Sequence, residues 1–193
     1  MLPTMSQNAR EAFLADRRVG VLSVADPREG DRAPLCVPVW YGYEPGGEIL
    51  VQTGRETVKG RLLRAAGRFS LCVQDERRPY RYVSVEGPVV AVEDPVPPAV
   101  RDALAHRYLD PDEARGYLDA TADQLKDDIL FRLRPQRWRT ADFSAFAADF
   151  TEPAHPAADS AEPPRPAEPI RSAELTRPAE PTRPAEPAAD SAD

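Results

Sequence analysis

Between residues 19 and 93 the apolar residues come in short runs separated by polar turns, the pattern of β-strands rather than helices. In the last of these runs Tyr82, Ser84 and Glu86 alternate with Val83 and Val85, as in a strand buried on one face. A further apolar run follows a polar stretch near residue 128. The pattern predicts six strands, at residues 19–25, 33–43, 48–53, 69–75, 80–93 and 128–135.

Turn and cap signals place the other elements. The sequence EPGG at residues 44–47 predicts a turn that joins the second and third strands into a hairpin. Ser6 is a suitable N-cap for a first helix, and Asp110, Pro111 and Glu113 form a capping-box pattern later in the chain. Two further helices are predicted, one after residue 57 and one after residue 97. The predicted fold is α+β and mainly β: a six-stranded antiparallel split β-barrel with peripheral helices.

The composition changes abruptly after residue 146. Residues 147–193 hold ten of the 22 prolines, ten acidic residues and four arginines, and they repeat with a period of six from Arg165. Few apolar groups are present to offset the entropy cost of ordering such a segment, although a six-residue solenoid is the competing interpretation. We therefore predict one folded domain over residues 1–146 and a disordered tail over residues 147–193.

Compartment and partner classes follow from charge, cysteines and hydropathy. No apolar run is long enough to span a membrane, and the N-terminus lacks the apolar core of a signal peptide, so a cytoplasmic protein without a membrane partner is expected. Met5 is an alternative start. Cys36 and Cys72 lie in apolar runs and are predicted to be reduced core residues. The tail carries six of the seven net negative charges, and the near-neutral domain argues against nucleic-acid binding, with three arginines of the 57–68 region as the counter-argument.

Few residues offer chemistry of their own. The two histidines, His106 and His155, are too few for a multi-histidine metal site, and a Ser–His–Asp arrangement is not expected because His155 falls in the tail. The acid pairs at residues 93–94 and 127–128 lie at element boundaries, where solvated charge is the simpler explanation. No catalytic residue and no metal ligand is predicted, and a bound cofactor is expected to supply any reactive atoms.

The stretch VQTGRETVKGRLLRAA, residues 51–66, is the best candidate for holding a cofactor. A strand runs into a helix start, whose free N–H groups and dipole suit an anion, with hydroxyls on Thr53 and Thr57 and a charge on Lys59. A helical wheel places Val58 on the buried face and Lys59 at its edge, with three arginines opposite. Lysine occurs only twice in the chain, against 23 arginines. An anion site and a simply capped helix with a solvated lysine both fit these residues.

Five motifs in order make the chain similar to a known family. They are the P-V-W-Y strand, the P-G-G turn, the T-x-R-x-T-x-K segment, the L-R-x-x-x-R-x-S-L helix-to-strand join and the V-x-V-E-G-P strand. In this order and spacing they resemble the pyridoxamine 5′-phosphate oxidase-like superfamily of split β-barrels that bind flavin or deazaflavin. The resemblance covers about residues 8–143, and the tail has no counterpart in it.

The resemblance implies a homodimer with a cofactor, FMN or the 8-hydroxy-5-deazaflavin coenzyme, in each of two clefts between subunits. It further implies an oxidoreductase that transfers hydride between this cofactor and a small molecule. By this resemblance residues 53–59 form the phosphate-binding loop, and residues 37–40 and Gln52 lie along the ring. Trp138 either approaches the other subunit's cofactor or has a buried packing role. The cofactor-binding residues so implied are Val37, Pro38, Val39, Trp40, Gln52, Thr53, Thr57, Val58, Lys59 and Trp138.

Two other functions stay open at this stage. The segment RLRPQRWRTADF is only loosely similar to the substrate-binding end of true pyridoxamine-phosphate oxidases, so that substrate is not expected. A non-catalytic carrier or sensor of the same fold, for a flavin, haem or tetrapyrrole, is the main alternative. A structural or nucleic-acid-binding small barrel that uses its surface arginines is the third interpretation.

Overall fold

A computed structural model describes residues 4–146. The predicted tail over residues 147–193, its boundary and His155 lie outside the described residues. The helices are α1 (Gln7–Ala15), α2 (Val58–Ala66), α3 (Pro98–Tyr108) and α4 (Pro111–Ala120). The strands are β1 (Gly20–Val24), β2 (Leu35–Val39), β3 (Ile49–Gly54), β4 (Arg68–Asp75), β5 (Arg81–Glu93), β6 (Asp128–Leu133) and β7 (Arg137–Asp142). Short 3₁₀ turns precede β6 and follow β7.

The strands form an antiparallel sheet in the order β2-β1-β4-β5-β6-β3, with β7 also paired to β5. The 13-residue β5 explains the split. Its first half pairs with β4 and β7, its second half pairs with β6, and the register shifts between Val89 and Ala91. A bulge of this kind bends a strand and increases its twist, which carries one strand through both halves of a barrel. The predicted α+β split barrel is therefore confirmed, and β7 is a seventh strand that the apolar pattern did not predict.

The predicted hairpin between the second and third strands is wrong. β2 pairs with β1 from Leu35 to Val39, whereas β3 pairs with β6. A single bridge between Gly42 and Leu50 is the only ladder contact in this region of the described chain. The turn at residues 44–47 does form, with Gly46 at a φ of 78°, but the strands that it joins diverge into different halves of the barrel.

Apolar side chains from both halves, together with the inner face of α1, fill the barrel. Tyr41 is fully buried, its hydroxyl donates to the carbonyl of Leu14 at 2.7 Å, and burial raises its pKa to about 12. The predicted caps are present: the Ser6 hydroxyl accepts from the N–H of Ala9, and the N–H of Asp110 donates to the Glu113 carboxylate. None of the helices in residues 4–146 is long and apolar enough to cross a membrane.

Both cysteines were expected in the core, and this expectation is wrong. Cys36 is exposed and Cys72 half-buried. They lie on the outer face of the sheet, because the strand register sets Cys72 opposite Val21 and Cys36 opposite Ser23, away from the inward-facing Leu22 and Leu71. Both thiols are free. The consequence is an outer sheet face made of small and apolar residues.

Candidate functional site

A cavity of about 220 Å³ opens where β2, β3, α2 and the α3–α4 helices meet. The strands contribute its floor, α2 contributes a lysine, and the two later helices form the opposite wall. The residues that line it are Pro38, Val39, Trp40, Gln52, Lys59, Arg101, Leu104, Ala105, Tyr117 and Asp128. The site is thus assembled from six elements, because Asp128 adds the start of β6 to the two strands and three helices.

Hydrogen bonds of two threonine hydroxyl groups hold the loop between β3 and α2. The Thr57 hydroxyl donates to the carbonyl of Gly54 at 2.8 Å and accepts from the N–H of Gly60 at 3.0 Å. The buried Thr53 hydroxyl lies 3.1 Å from it and is left as the donor of that pair, because the proton of Thr57 is already used. Both hydroxyls shape the helix start. The donors left for an anion are the first N–H groups of α2, which have no intrahelical acceptor.

The first turn of α2 sits directly against this loop. A Cβ atom on Gly60 would lie 2.4 Å from the carbonyl oxygen of Gly54 and 3.0 Å from that of Arg55. Only a residue without a side chain allows this approach. The close contact fixes the direction in which the helix, and with it Lys59, enters the cavity.

Lys59 lies at the centre of the buried face of α2, not at its edge. Leu62 and Leu63 are the buried side chains of the helix, at about 40° and 140° on a wheel with Val58 at zero, and Lys59 falls between them at about 100°. The expectation that Val58 is buried is wrong, since its side chain is 57% exposed. The buried face is rotated from the predicted one because Val58 and Ala65, both apolar, are exposed, whereas Leu63 is buried.

The Lys59 ammonium is half-buried and has no hydrogen-bond or ion-pair partner among residues 4–146. Burial lowers the pKa of Lys59, and the nearby Asp128 carboxylate opposes that shift only in part. A charge held away from water without a paired anion costs free energy, which an arriving anion would recover. Lys59 is therefore a half-buried cation without an ion pair among residues 4–146, and not a solvated surface lysine.

Asp128, at the start of β6, links the lysine to the strands. Its Oδ2 accepts a hydrogen bond from the Gln52 amide at 2.8 Å, across the β3–β6 ladder. The expectation of a solvated charge at this boundary is wrong for Asp128, which is half-buried and lines the cavity. Asp94 does lie at the surface, where it pairs with Arg55 and Arg64. The cavity thus contains a carboxylate whose orientation is fixed by a neutral amide.

Aromatic rings build the wall towards α3 and α4. The Trp40 ring stacks on Tyr108 at a centroid distance of 4.9 Å and an interplanar angle of 3°, and Tyr117 packs against it at 5.5 Å. The Tyr108 hydroxyl is anchored in turn, because it accepts from the N–H of Tyr41 at 3.0 Å and lies 2.9 Å from the carbonyl of Arg18. Stacking and hydrogen bonds thereby tie the end of β2 to α3 and α4 on this side of the cavity.

Five of the ten cofactor-binding residues implied by the family resemblance line the cavity: Pro38, Val39, Trp40, Gln52 and Lys59. The others surround it or lie elsewhere. Thr53 and Thr57 hold the loop, while Val37 packs against the core and Val58 faces solvent. Trp138 lies in a separate cleft, with its ring edge towards Tyr43 and the Arg10 guanidinium 4.6 Å above it. A role for Trp138 at a partner subunit's cofactor stays a prediction.

The α3–α4 wall and Asp128 were not predicted from the sequence. Arg101, Leu104 and Ala105 come from α3 and Tyr117 from α4. A Gln52–Asp128 contact could have been suggested by a correct pairing of β3 with β6. Nothing in the local pattern of α3 marks Arg101, because arginine is common along the whole chain.

The arrangement can bind an anion and an adjacent flat apolar group. No histidine or cysteine is among the residues that line the cavity, and no group of three or more metal-ligating side chains occurs within residues 4–146. Asp128, Tyr117 and Lys59 are the acid–base groups of the lining. Such a site can hold and orient a phosphorylated aromatic molecule, and its lining contains no serine, threonine, cysteine or histidine nucleophile.

Comparisons with solved structures place this architecture. An F420 reductase is 23% identical, with a TM-score of 0.52 over 67% of this chain and 94% of that one. A conserved hypothetical protein from Mycobacterium tuberculosis is 24% identical, with a TM-score of 0.59 over 75% and 89% of the two chains. The haem storage protein of Vibrio cholerae is 16% identical, with a TM-score of 0.51 over 67% and 90%. At these identities the likeness shows a shared fold.

No curated protein sequence is significantly similar to the chain. The model of the pyridoxamine 5′-phosphate oxidase family, in contrast, matches residues 6–142, which is nearly all of the described structure. The match takes in every strand of the sheet, the β3–α2 loop and all the residues that line the cavity. The chain therefore belongs to the pyridoxamine 5′-phosphate oxidase family.

Proposed function

We propose that the protein is an oxidoreductase that binds FMN or the 8-hydroxy-5-deazaflavin coenzyme and uses it to transfer hydride to or from a small molecule. The observation that carries the proposal is Lys59, a half-buried ammonium at the first turn of a helix and inside the cavity. It has no hydrogen bond and no ion pair with any residue of the described range 4–146. Both cofactors carry a phosphate group on a flat ring system. Membership of the family and the F420 reductase among its structural neighbours support the proposal.

The residues present fit such a cofactor at both ends. Lys59 and the free N–H groups of the α2 start would hold the phosphate. The end of β2, with Pro38 and Val39, offers an apolar edge for the ring, and Gln52 offers an amide beside it. The hydride chemistry is supplied by the cofactor when it is bound, so the chain's task is to bind, orient and shield it.

A homodimer is part of the proposal because the cavity borders an uncovered apolar face. Pro38 lies opposite Val21 on β1, and Val21 lies opposite Cys72 on β4, so these side chains form one row on the outer face of the sheet. Val19 and Val21 are 52% and 43% exposed. Apolar faces of this kind are typical of subunit interfaces. A second copy seated there would close the open side of the cavity at Pro38.

Val21→Asp is expected to convert the dimer into a monomer and to weaken cofactor binding, because a charge in the apolar row would have to be buried. Sedimentation or light scattering of the full chain, whose subunit mass is 21.3 kDa, measures the first effect. Val92→Asp is the matched control, since Val92 is equally exposed at 44% but lies outside this row. A monomeric wild-type protein, or a Val21→Asp variant that stays dimeric, would contradict the proposed interface.

The function itself is tested by the chromophore. We expect protein purified from its native host to show the absorption of a flavin or a deazaflavin, and the apo protein to bind one of the two at micromolar concentration. Titration of FMN and of the deazaflavin coenzyme, followed by absorbance and fluorescence, identifies which. Failure to bind either would exclude the proposed function.

A carrier or sensor without turnover is the second candidate. The observation that favours it is the cavity lining, in which the groups able to transfer a proton are Asp128, Tyr117 and Lys59. Asp128 already accepts a hydrogen bond from Gln52, and Lys59 is assigned to the phosphate. The structural likeness to a haem storage protein belongs to the same alternative. Steady-state oxidation of the reduced cofactor by a panel of small acceptors decides between them. Sustained turnover would exclude the carrier.

A further inference from the structure

Six described arginines have a buried Nε without a hydrogen-bond partner, and five of them have another partner for the guanidinium. Arg18, Arg55 and Arg81 form ion pairs with aspartates, and Arg10 and Arg107 lie over aromatic rings. The sixth is Arg101. Within residues 4–146 it has no ion pair and no cation–π contact. Its guanidinium therefore lacks the compensation that the other five have.

Arg101 lines the same cavity as Lys59. It is half-buried on α3, and its Nη2 donates a hydrogen bond to the carbonyl of Leu125 at 3.2 Å. Leu125 belongs to the 3₁₀ turn that leads directly into Asp128. One Nη2 bond therefore anchors the guanidinium to the cavity wall and leaves most of its five N–H donors for another acceptor.

The charges of the cavity do not balance without a ligand. Its lining holds two cations, Lys59 and Arg101, and a single carboxylate, Asp128, which already accepts from Gln52. Two half-buried cations in one cavity repel each other and are both poorly solvated. An anion placed between them removes both penalties, and the planar guanidinium fork matches the oxygens of a phosphate.

We infer that Arg101 is a second anion-binding residue, which together with Lys59 recognises the phosphate group of the bound cofactor. This inference rests on the proposed function and adds a residue from the α3 wall to the loop at the start of α2. Lys59 and Arg101 would then contact the phosphate from two sides of the cavity. Selectivity for the phosphorylated cofactor over its phosphate-free form is the property that Arg101 supplies.

The test compares ligands that differ only in the phosphorylated side chain. FMN is titrated against riboflavin, and the deazaflavin coenzyme against its phosphate-free deazariboflavin. In Arg101→Gln we expect the Kd of the phosphorylated ligand to rise about 10- to 100-fold, the size expected for a lost charge-assisted contact, while the Kd of the phosphate-free ligand changes by less than about twofold. Arg101→Lys keeps the charge without the fork and is expected to fall between the two.

A structural role for Arg101 would give a different result. Loss of the bond to Leu125 alone would lower the melting temperature and weaken both ligands of a pair equally, which would overturn the inference. Arg115→Gln is the matched control, because Arg115 is an exposed arginine on α4 that pairs with Asp112. If Lys59→Met weakens the phosphorylated ligand and Arg101→Gln does not, the inference fails and the proposed function stands. If neither ligand pair binds, both fail.

Discussion

Lys59→Met is expected to weaken cofactor binding about 100-fold and at the same time to make the apo protein more stable. The weaker affinity corresponds to a loss of about 2.7 kcal/mol of binding free energy, a typical value for a charge-assisted contact to phosphate. The apo protein becomes more stable because methionine fills the same space between Leu62 and Leu63 without the free-energy cost of a half-buried charge. We expect about 1 kcal/mol of added stability, or about 3 °C in melting temperature for a domain of this size.

The pH dependence of this gain has a fixed sign. Burial lowers the folded-state pKa of Lys59 below its ordinary value of 10.5, so the unfolded chain holds the proton more tightly. The free-energy cost of burying the charged lysine is fully present at pH values below the folded-state pKa of Lys59, and it disappears as the pH rises towards 10.5. The difference in melting temperature between Lys59→Met and wild type should therefore shrink in alkaline buffer.

Lys126→Met is the control for both effects. Lys126 is the other lysine of the chain, is exposed, and pairs with Asp123 at 2.6 Å. It should change neither the cofactor affinity nor the stability by more than about 0.5 kcal/mol. A Lys59→Met protein with unchanged affinity for the phosphorylated cofactor would show that the lysine is merely extended along the helix surface, with no ligand to hold.

Gly87→Ala is expected to produce the largest loss of stability of any small substitution in the sheet. Gly87 lies on β5 at the point where the connection between β6 and β7 passes across this strand. A Cβ atom on Gly87 would lie 1.9 Å from the carbonyl oxygen of Arg134, which belongs to that connection. Two backbone hydrogen bonds, from Arg134 to Pro88 and from Gln136 to Glu86, hold this crossing together. Since backbone cannot give way as a flexible side chain can, we expect a loss of about 3 kcal/mol.

Gly116→Ala provides the opposite result in the same protein. Gly116 lies in the middle of α4, is exposed, and has no heavy atom within 4 Å of the position that a Cβ would take. Alanine there should stabilise the protein by about 0.5–1 kcal/mol. Chemical denaturation of both variants measures the pair. If the two substitutions changed the free energy of unfolding equally, the close approach of the Arg134 carbonyl to Gly87 would be contradicted.

The strands of this protein are predictable because their pattern is local. Alternation along residues 80–93 and the turn signals around the apolar runs identify β1 to β6 within a few residues. β7 was missed because Arg137 and Arg139 interrupt its apolar character; they face outwards beside Glu86, while Trp138 packs inwards. The pairing of β2 with β1, and of β3 with β6, is a property of the closed sheet that a tight turn between β2 and β3 does not reveal.

The site was half predictable for a similar reason. Gln52 and Lys59 belong to one continuous stretch with a recognisable strand–loop–helix pattern, and both line the cavity. Asp128 is 69 positions from Lys59, and its carboxylate is brought into the site only by the β3–β6 register. Arg101 arrives on α3, a helix whose own sequence shows no feature that separates it from the many surface arginines.

The sequence by itself determined the elements, the capped start of α2, the change of composition after residue 146 and the family to which the chain is similar. Each of these depends on neighbouring residues or on motifs in fixed order. Tertiary structure decided the rest: which strands pair, that Lys59 lies at the centre of its helix's buried face, and that Arg101 shares its cavity. These depend on desolvation and on distances between segments far apart in the chain, and such quantities exist only once the barrel has closed.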